Sequence, residues 1–209
     1  MRIAVFAAYS PFPPLGGGRA DIWRRIEAFV QLGHEVMLVH LTDPSSALAV
    51  TPESAASMGM TLSSRFAFAT DRRLRSTVRK LSQTCRFPWS VARGIPAREI
   101  SEKLDDAVRA FEPDAIWLDG PVLGELARRH ARESQSPLLY RSHNIEHLYL
   151  RRQAGASKSL RNRISWAFAS LGLKKYELGL MHEATRVFEI SLDDLDFWRA
   201  HGVRNATWL

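Results

Sequence analysis

One cysteine, Cys85, stands among the 209 residues. A single thiol excludes an intrachain disulfide and any metal site built from several cysteines. No apolar run reaches the roughly 18 to 20 residues that a membrane-spanning helix needs. The apolar stretch at the N-terminus, Ile3 to Ala8, is too short for a signal peptide and runs straight into a Pro/Gly loop. Internal repeats and low-complexity tails are missing. So are zinc-finger spacing, the aromatic signature of an RNA-recognition motif and a clear helix-turn-helix, which leaves nucleic acid without a positive signal. A cytoplasmic location fits these absences best.

Acidic residues are also short: 22 Asp and Glu face 29 Lys and Arg, a formal charge of +7. Such an excess suits nucleic acid, an anionic membrane surface or anionic substrates such as nucleotide sugars. The cations gather in two segments. One holds Arg72, Arg73, Arg75, Arg79, Lys80 and Arg86; the other holds Arg151, Arg152, Lys158, Arg161 and Arg163. With 45% hydrophobic and 24% charged residues, the chain has enough apolar mass for one large domain or two small ones.

The most informative stretch is the loop Ser10-Pro11-Phe12-Pro13-Pro14-Leu15-Gly16-Gly17-Gly18-Arg19. Its prolines bar helix, and its glycines let backbone reach conformations and approach distances that a Cβ forbids. The amides that open the following helix suit a phosphate or another anion. Neither nucleotide fingerprint is present: G-x-G-x-x-G lacks its later glycine, and no G-K-[ST] follows. The loop reads equally as an ordinary strand-to-helix bend.

Strand-like and helix-like segments alternate. Strands are expected at 2–8, 35–41, 60–68, 115–118, 137–141 and 186–190, and helices at 18–32, 71–83, 96–111, 121–133, 143–153 and 158–182. Gly33 is a natural C′ residue for the first helix, and Ser191 an N-cap for a last helix to 201. Residues 43–57 read as loop or short helix, and 205–209 as the start of another strand. That last strand signals either a cut within a longer protein or a natural terminus that completes the sheet. Strands separated by helices indicate parallel βαβ units, so the fold class is α/β, a Rossmann-like, mainly parallel sheet with helices on both faces.

Ligands of open α/β sheets bind outside the carboxyl ends of the strands. The Gly loop, Asp119-Gly120, His143-Asn144 and Ser191 each follow an apolar strand and can converge on one rim. Asp119 reads as a group that positions an acceptor hydroxyl or as a cap of the next helix, the cap being favoured. Arg141 reads as an anion partner or as a structural pair with Glu146, and Glu146 as a first-turn cap. His147 reads as a packing or surface residue, Asp193 and Asp194 as first-turn acids, and Trp117 and Trp198 as core. The 71–83 segment carries Leu74, Val78 and Leu81 beside its cations, with Phe87 and Trp89 after it. It reads as a helix lying on anionic membrane or as one whose apolar stripe faces its own core.

Several runs, in order, resemble the N-terminal domain of family-four glycosyltransferases of the two-Rossmann (GT-B) type. They are Pro13-Pro14-Leu15-Gly16-Gly17-Gly18-Arg19, Gly33-His34-Glu35-Val36, Pro113-Asp114-Ala115-Ile116-Trp117, Arg141-Ser142-His143-Asn144-Ile145-Glu146 and Glu189-Ile190-Ser191-Leu192-Asp193-Asp194. The resemblance covers essentially the whole chain. It implies one half of a GT-B architecture, with residues 1–209 as the acceptor-side domain and the donor-binding domain, with its paired glutamates, absent. It implies sugar transfer, usually with retention, from a nucleotide-sugar donor to a saccharide or lipid-linked acceptor, as in polysaccharide biosynthesis. His143 would be the catalytic residue. Gly16, Gly17, Gly18, Arg19 and Asn144 would bind the donor, and Asp119 and Arg141 the acceptor. No metal or separate cofactor is implied; the nucleotide sugar is a substrate. The isolated chain is expected to be inactive, and peripheral contact with the inner face of a membrane fits a lipid-linked acceptor. The rival readings are a non-catalytic α/β binding module or truncated product, and a phosphate-binding Rossmann protein of unrelated chemistry.

Overall fold

The computed structural model describes residues 1–42, 52–69 and 81–209. Seven strands form one sheet: β1 (Arg2–Ala7), β2 (Glu35–Thr42), β3 (Ser64–Ala69), β4 (Ala115–Asp119), β5 (Leu138–Ser142), β6 (Arg186–Glu189) and β7 (Ala206–Trp208). They lie in the order β3-β2-β1-β4-β5-β6-β7, and every pair is parallel. Burial of both faces explains why β1 and β4 are near-continuous apolar runs rather than alternating ones.

The helices are α1 (Gly17–Gln31), α2 (Pro52–Thr61), α3 (Trp89–Ala92), α4 (Arg98–Phe111), α5 (Gly124–Glu133), α6 (Glu146–Ala156), α7 (Leu160–Ser170), α8 (Leu173–Glu183) and α9 (Leu192–Ala200). One face of the sheet packs Ile3, Val5, Leu38 and Trp117 against Ile22, Trp23 and Ile26 of α1 and Met58 of α2. The other packs Phe6, Met37, Leu118, Tyr140 and Val187 against α4, α5, α8 and α9 through Leu104, Leu126, Leu180 and Trp198. Each fully buried aliphatic side chain of this kind contributes roughly 1.5–3 kcal/mol. A small satellite cluster of Val91, Leu150 and Leu173 ties α3, α6 and α8 together.

The α/β class, the parallel sheet and the helices on both faces agree with the sequence pattern. Gly33 follows α1 as expected: its N–H donates to Val30 O at 2.9 Å and that of His34 to Phe29 O at 3.0 Å, the paired bonds of a Schellman ending. Ser191 caps α9, accepting from the Asp194 N–H. Four expectations need correction. The strand expected at 60–68 begins only at Ser64, because α2 runs to Thr61. The helix expected at 158–182 is two helices, α7 and α8. Gly172 breaks it with φ of +71°, a left-handed conformation that glycine adopts without penalty. The helices expected from 121 and 143 start later, at Gly124 and Glu146. The basic segment 71–83 lies outside the described residues except at 81–83, which are helical.

Candidate functional site

Parallel strands place all their carboxyl ends on one rim, and the strand order reverses between β1 and β4. That reversal opens a crevice where open α/β sheets take ligands. The loops on either side of it are 8–16 and 120–123. Asp119, the last residue of β4, lies in register with Ala7 of β1 on one side and Arg141 of β5 on the other. His143 follows β5 directly. The structure thus brings Gly16, Gly17, Gly18, Asp119, Arg141, His143 and Asn144 to the same rim.

Four charged side chains are locked together beneath it. Asp119 Oδ2 accepts from the indole Nε1 of Trp117 at 2.9 Å. Its Oδ1 accepts from Arg141 Nη1 at 3.0 Å. Arg141 Nη2 pairs with Asp21 Oδ2 on α1, and Asp21 Oδ1 accepts from Arg25 Nη2 at 3.3 Å, one turn further along that helix. Arg25 closes the circuit by lying over the Trp117 ring, 5.4 Å from its centroid. Two carboxylates and two guanidiniums balance, which is the condition under which buried charge is tolerated. The side chains of Asp119 and Arg141 are each only 1% exposed.

His143 joins this group from the loop after β5, with its side chain 19% exposed. Nε2 lies 3.0 Å from Asp119 Oδ1, and Arg141 Nη1 lies 3.0 Å from Nδ1. Arg141 Nη1 is almost as close to Nε2, at 3.1 Å, so the guanidinium faces both ring nitrogens. Burial pushes the Asp119 carboxyl up, but the hydrogen bond and charge of His143, with the Arg141 guanidinium, outweigh it and hold Asp119 below its ordinary value.

The N-terminus of α1 faces the same crevice. Gly16 occupies the N-cap with φ of +91°, and no side chain caps the helix. A Cβ built at Gly16 or Gly17 meets nothing within 4 Å, so backbone there is open to a partner. Arg19 sits over the ring of Tyr9, 5.7 Å from its centroid. Asn144 is exposed, and its backbone carbonyl accepts from Ser142 Oγ at 3.1 Å.

Three side-chain expectations are overturned. Asp119 does not cap α5, whose N-cap is Leu123 with no side-chain bond; its carboxylate is consumed by Trp117, Arg141 and His143. Arg141 pairs with Asp119 and Asp21 rather than Glu146, because β5 register and α1 packing bring those carboxylates closer. Neither residue presents a free, exposed group to an acceptor in this arrangement. Glu146 caps nothing. The N–H groups of Glu146 and His147 are instead taken by Glu177 of α8, at 2.8 and 3.1 Å. The same carboxylate pairs with His147 Nδ1 at 2.7 Å. Burial, then the charge of Glu177, pushes Glu146 up to about 7.

Sequence reasoning missed Asp21, Tyr9, Glu177 and Glu189. Asp21 had a local signal, its i,i+4 spacing to Arg25 in the helix that follows the Gly loop. Glu189, in register with Ser142, is fully buried with neither carboxylate oxygen hydrogen-bonded. Burial pushes it up to about 8. Among the described residues no group of three or more His, Cys, Asp or Glu side chains is placed to hold a metal ion. No described helix is long and apolar enough to cross a membrane.

No family model matches the sequence, and no curated protein matches it. Solved structures do. The chain matches Medicago truncatula UGT71G1 complexed with UDP-glucose over 99% of its own length and 50% of that chain, at a TM-score of 0.61 and 7% identity. It matches Anabaena HepE in complex with UDP and glucose over 100% of its length and 44% of that chain, at 0.54 and 13%. UDP-N-acetylglucosamine 2-epimerase from Rickettsia bellii matches over 100% and 44%, at 0.51 and 11%. The fold is that of one half of a GT-B protein. The chain spans about half the length, or somewhat less, of the structures it matches. An epimerase among them shows that this fold serves more than one reaction.

Proposed function

We propose that this chain is the acceptor-side domain of a glycosyltransferase that takes its sugar from a nucleotide-sugar donor, with transfer completed in a cleft against a second, donor-binding Rossmann domain. The observation that carries the reading is His143 on the rim, backed by Asp119 and facing an uncapped helix N-terminus across the switch point. The GT-B fold, shared with proteins solved with UDP or UDP-glucose, supports it.

In this reading Gly16, Gly17 and Gly18 offer amides to the donor phosphate or reacting sugar, where the helix dipole favours negative charge. Arg19 adds a cation beside them, and Asn144 an exposed carboxamide from the opposite loop. His143 hydrogen-bonds the sugar near the reaction centre. Asp119 and Arg141, being buried, act through His143: they fix its ring orientation. The acceptor is a saccharide or a lipid-linked sugar, as in polysaccharide biosynthesis, and retention of configuration follows from the family-four resemblance.

The Asp119–His143 pair favours a second stereochemical reading. An acceptor hydroxyl that reached the exposed edge of His143 would meet an imidazole whose Nε2 side is held by a carboxylate. That is the geometry of a general base, and direct attack by an activated hydroxyl inverts the anomeric centre. The test is an assay over a panel of nucleotide sugars and saccharide or lipid-linked acceptors, with the product anomer read by proton NMR. Residues 1–209 alone should transfer nothing, and the chain joined to a donor-binding half should turn over. Robust transfer by residues 1–209 alone, or none by any two-domain form, defeats the reading.

A further inference from the structure

Charge is unevenly distributed along this chain. Of its 29 Lys and Arg and 22 Asp and Glu, the segment 147–176 holds seven of the bases and none of the acids. The other 179 residues therefore carry 22 of each and are neutral; the whole formal +7 resides in these 30 residues. They build α6, α7 and the first turn of α8. Ion pairs line other helices, such as Arg98–Glu102 and Arg109–Asp106 on α4. Among the described residues, Arg151, Arg152, Lys158, Arg161 and Arg163 make none, and neither do Lys174 and Lys175.

A second observation falls on the same segment. Leu160, Ile164, Phe168 and Leu171 are 69%, 61%, 42% and 63% exposed. At about 100° per residue, their spacing of four, four and three puts them within roughly 80° of one another along α7 and its end. Arg161 and Arg163 flank this stripe. A single exposed leucine is ordinary, but a continuous exposed stripe marks an interaction surface.

We propose that α7, together with the neighbouring cations of α6, docks the protein on an anionic lipid bilayer. A bilayer is the partner that satisfies both halves of the surface. Its acyl boundary takes the aliphatic stripe, its acidic headgroups take the arginines, and the long Arg and Lys stems cover apolar surface while their charges stay at headgroup level. A nucleic acid would answer the charge but leave Leu160, Ile164 and Leu171 in water. This inference stands apart from the glycosyl-transfer reading, since its test involves no sugar. Only Asn144 and Ile145 separate His143 from α6, so a docked α6–α7 face ties the candidate site closely to the lipid surface.

Co-sedimentation of the 209-residue chain with vesicles tests this. Vesicles of phosphatidylcholine mixed with phosphatidylglycerol should carry the protein down, phosphatidylcholine alone should not, and added salt should weaken the binding. Arg161→Gln and Arg163→Gln should each weaken partitioning about fivefold. Ile164→Ser with Leu171→Ser should weaken it with little change in salt dependence. All four positions are exposed, so circular dichroism and melting should match the parent. Equal sedimentation with both vesicle types overturns the proposal, as does parent-like binding by the Gln variants. Two further outcomes also overturn it: Ser variants that bind lipid normally while the parent binds a single-stranded oligonucleotide assign a polyanion. Ser variants that abolish a dimer of the parent assign the stripe to a second copy of the chain.

Discussion

His143 Nε2 and Arg141 Nη1 both lie 3.0 Å from the same oxygen, Oδ1 of Asp119. One buried carboxylate thus holds a partly exposed imidazole and a buried guanidinium at once, so His143→Ala and Asp119→Asn should behave differently. His143→Ala removes a group at the rim. In the two-domain protein it should lower turnover by about 30- to 1,000-fold, the loss expected for one hydrogen bond that strengthens in the transition state. Denaturation should change little. Near-normal kcat in a folded variant returns His143 to a structural role.

Asp119→Asn keeps the volume but removes the charge. Arg141 is then left buried with Asp21 as its one remaining carboxylate, and breaking a buried pair costs about 3–5 kcal/mol. Urea denaturation should show this cost, and the Trp117 indole bond should not compensate for it. Stability unchanged within about 1 kcal/mol would mean that the guanidinium finds water or another partner.

Glu177 joins α8 to the start of α6 by accepting two backbone N–H groups and the His147 ring. Glu177→Ala leaves those donors buried and unmet and should cost about 2–4 kcal/mol. Glu177→Gln keeps one acceptor oxygen and should cost less. Amide exchange at Glu146 and His147 should accelerate most in the Ala variant; unchanged exchange there would show that water can replace the carboxylate.

Stability should also depend on pH in a defined window. Burial raises Glu189 to about 8, so the folded chain keeps a proton that an ordinary glutamate, near 4.5, has lost. The folded state binds more protons between those values, and stability falls as pH rises through them. Burial raises Glu146 to about 7, which slopes the same way. His40 and His130, lowered by burial to about 4, slope oppositely: below the ordinary 6.5 the unfolded chain takes protons that the folded one refuses. These slopes oppose each other between about pH 4.5 and 6.5, and above about 7 the Glu189 slope is left unopposed. Denaturation midpoints should therefore fall from pH 7 to 8. Glu189→Gln should remove that fall and exceed the parent at pH 8. A parent midpoint that does not fall from pH 7 to 8 would mean that Glu189 is ionised in the folded chain.

Gly18 tests how closely α1 approaches its loop. A Cβ there would lie 2.7 Å from the Tyr9 hydroxyl, the far end of a partly exposed side chain. Gly18→Ala should move Tyr9 rather than the helix, with a stability change of no more than about 1 kcal/mol because alanine favours helix by a similar amount. In a Tyr9→Phe background the clash disappears, and the same substitution should stabilise. Equal effects in both backgrounds would show that the ring is already free to move.

The sequence by itself determined the element types and, through them, the rim. Apolar runs such as 115–118, separated by helical stretches, demand a parallel sheet, and a parallel sheet puts every post-strand loop at one end. Ser191 and Gly33 were legible because caps act within a few residues. The position of His143 on the same rim as the Gly loop follows from that same geometry. Only the tertiary structure decided the partners. Asp119, Arg141 and Asp21 are brought together by strand register and by the packing of α1 on the sheet, and Glu177 reaches α6 across 31 residues. A local pattern records whether a side chain is buried. It does not record which buried charge lies opposite, because that depends on the register of strands and helices far apart in the chain.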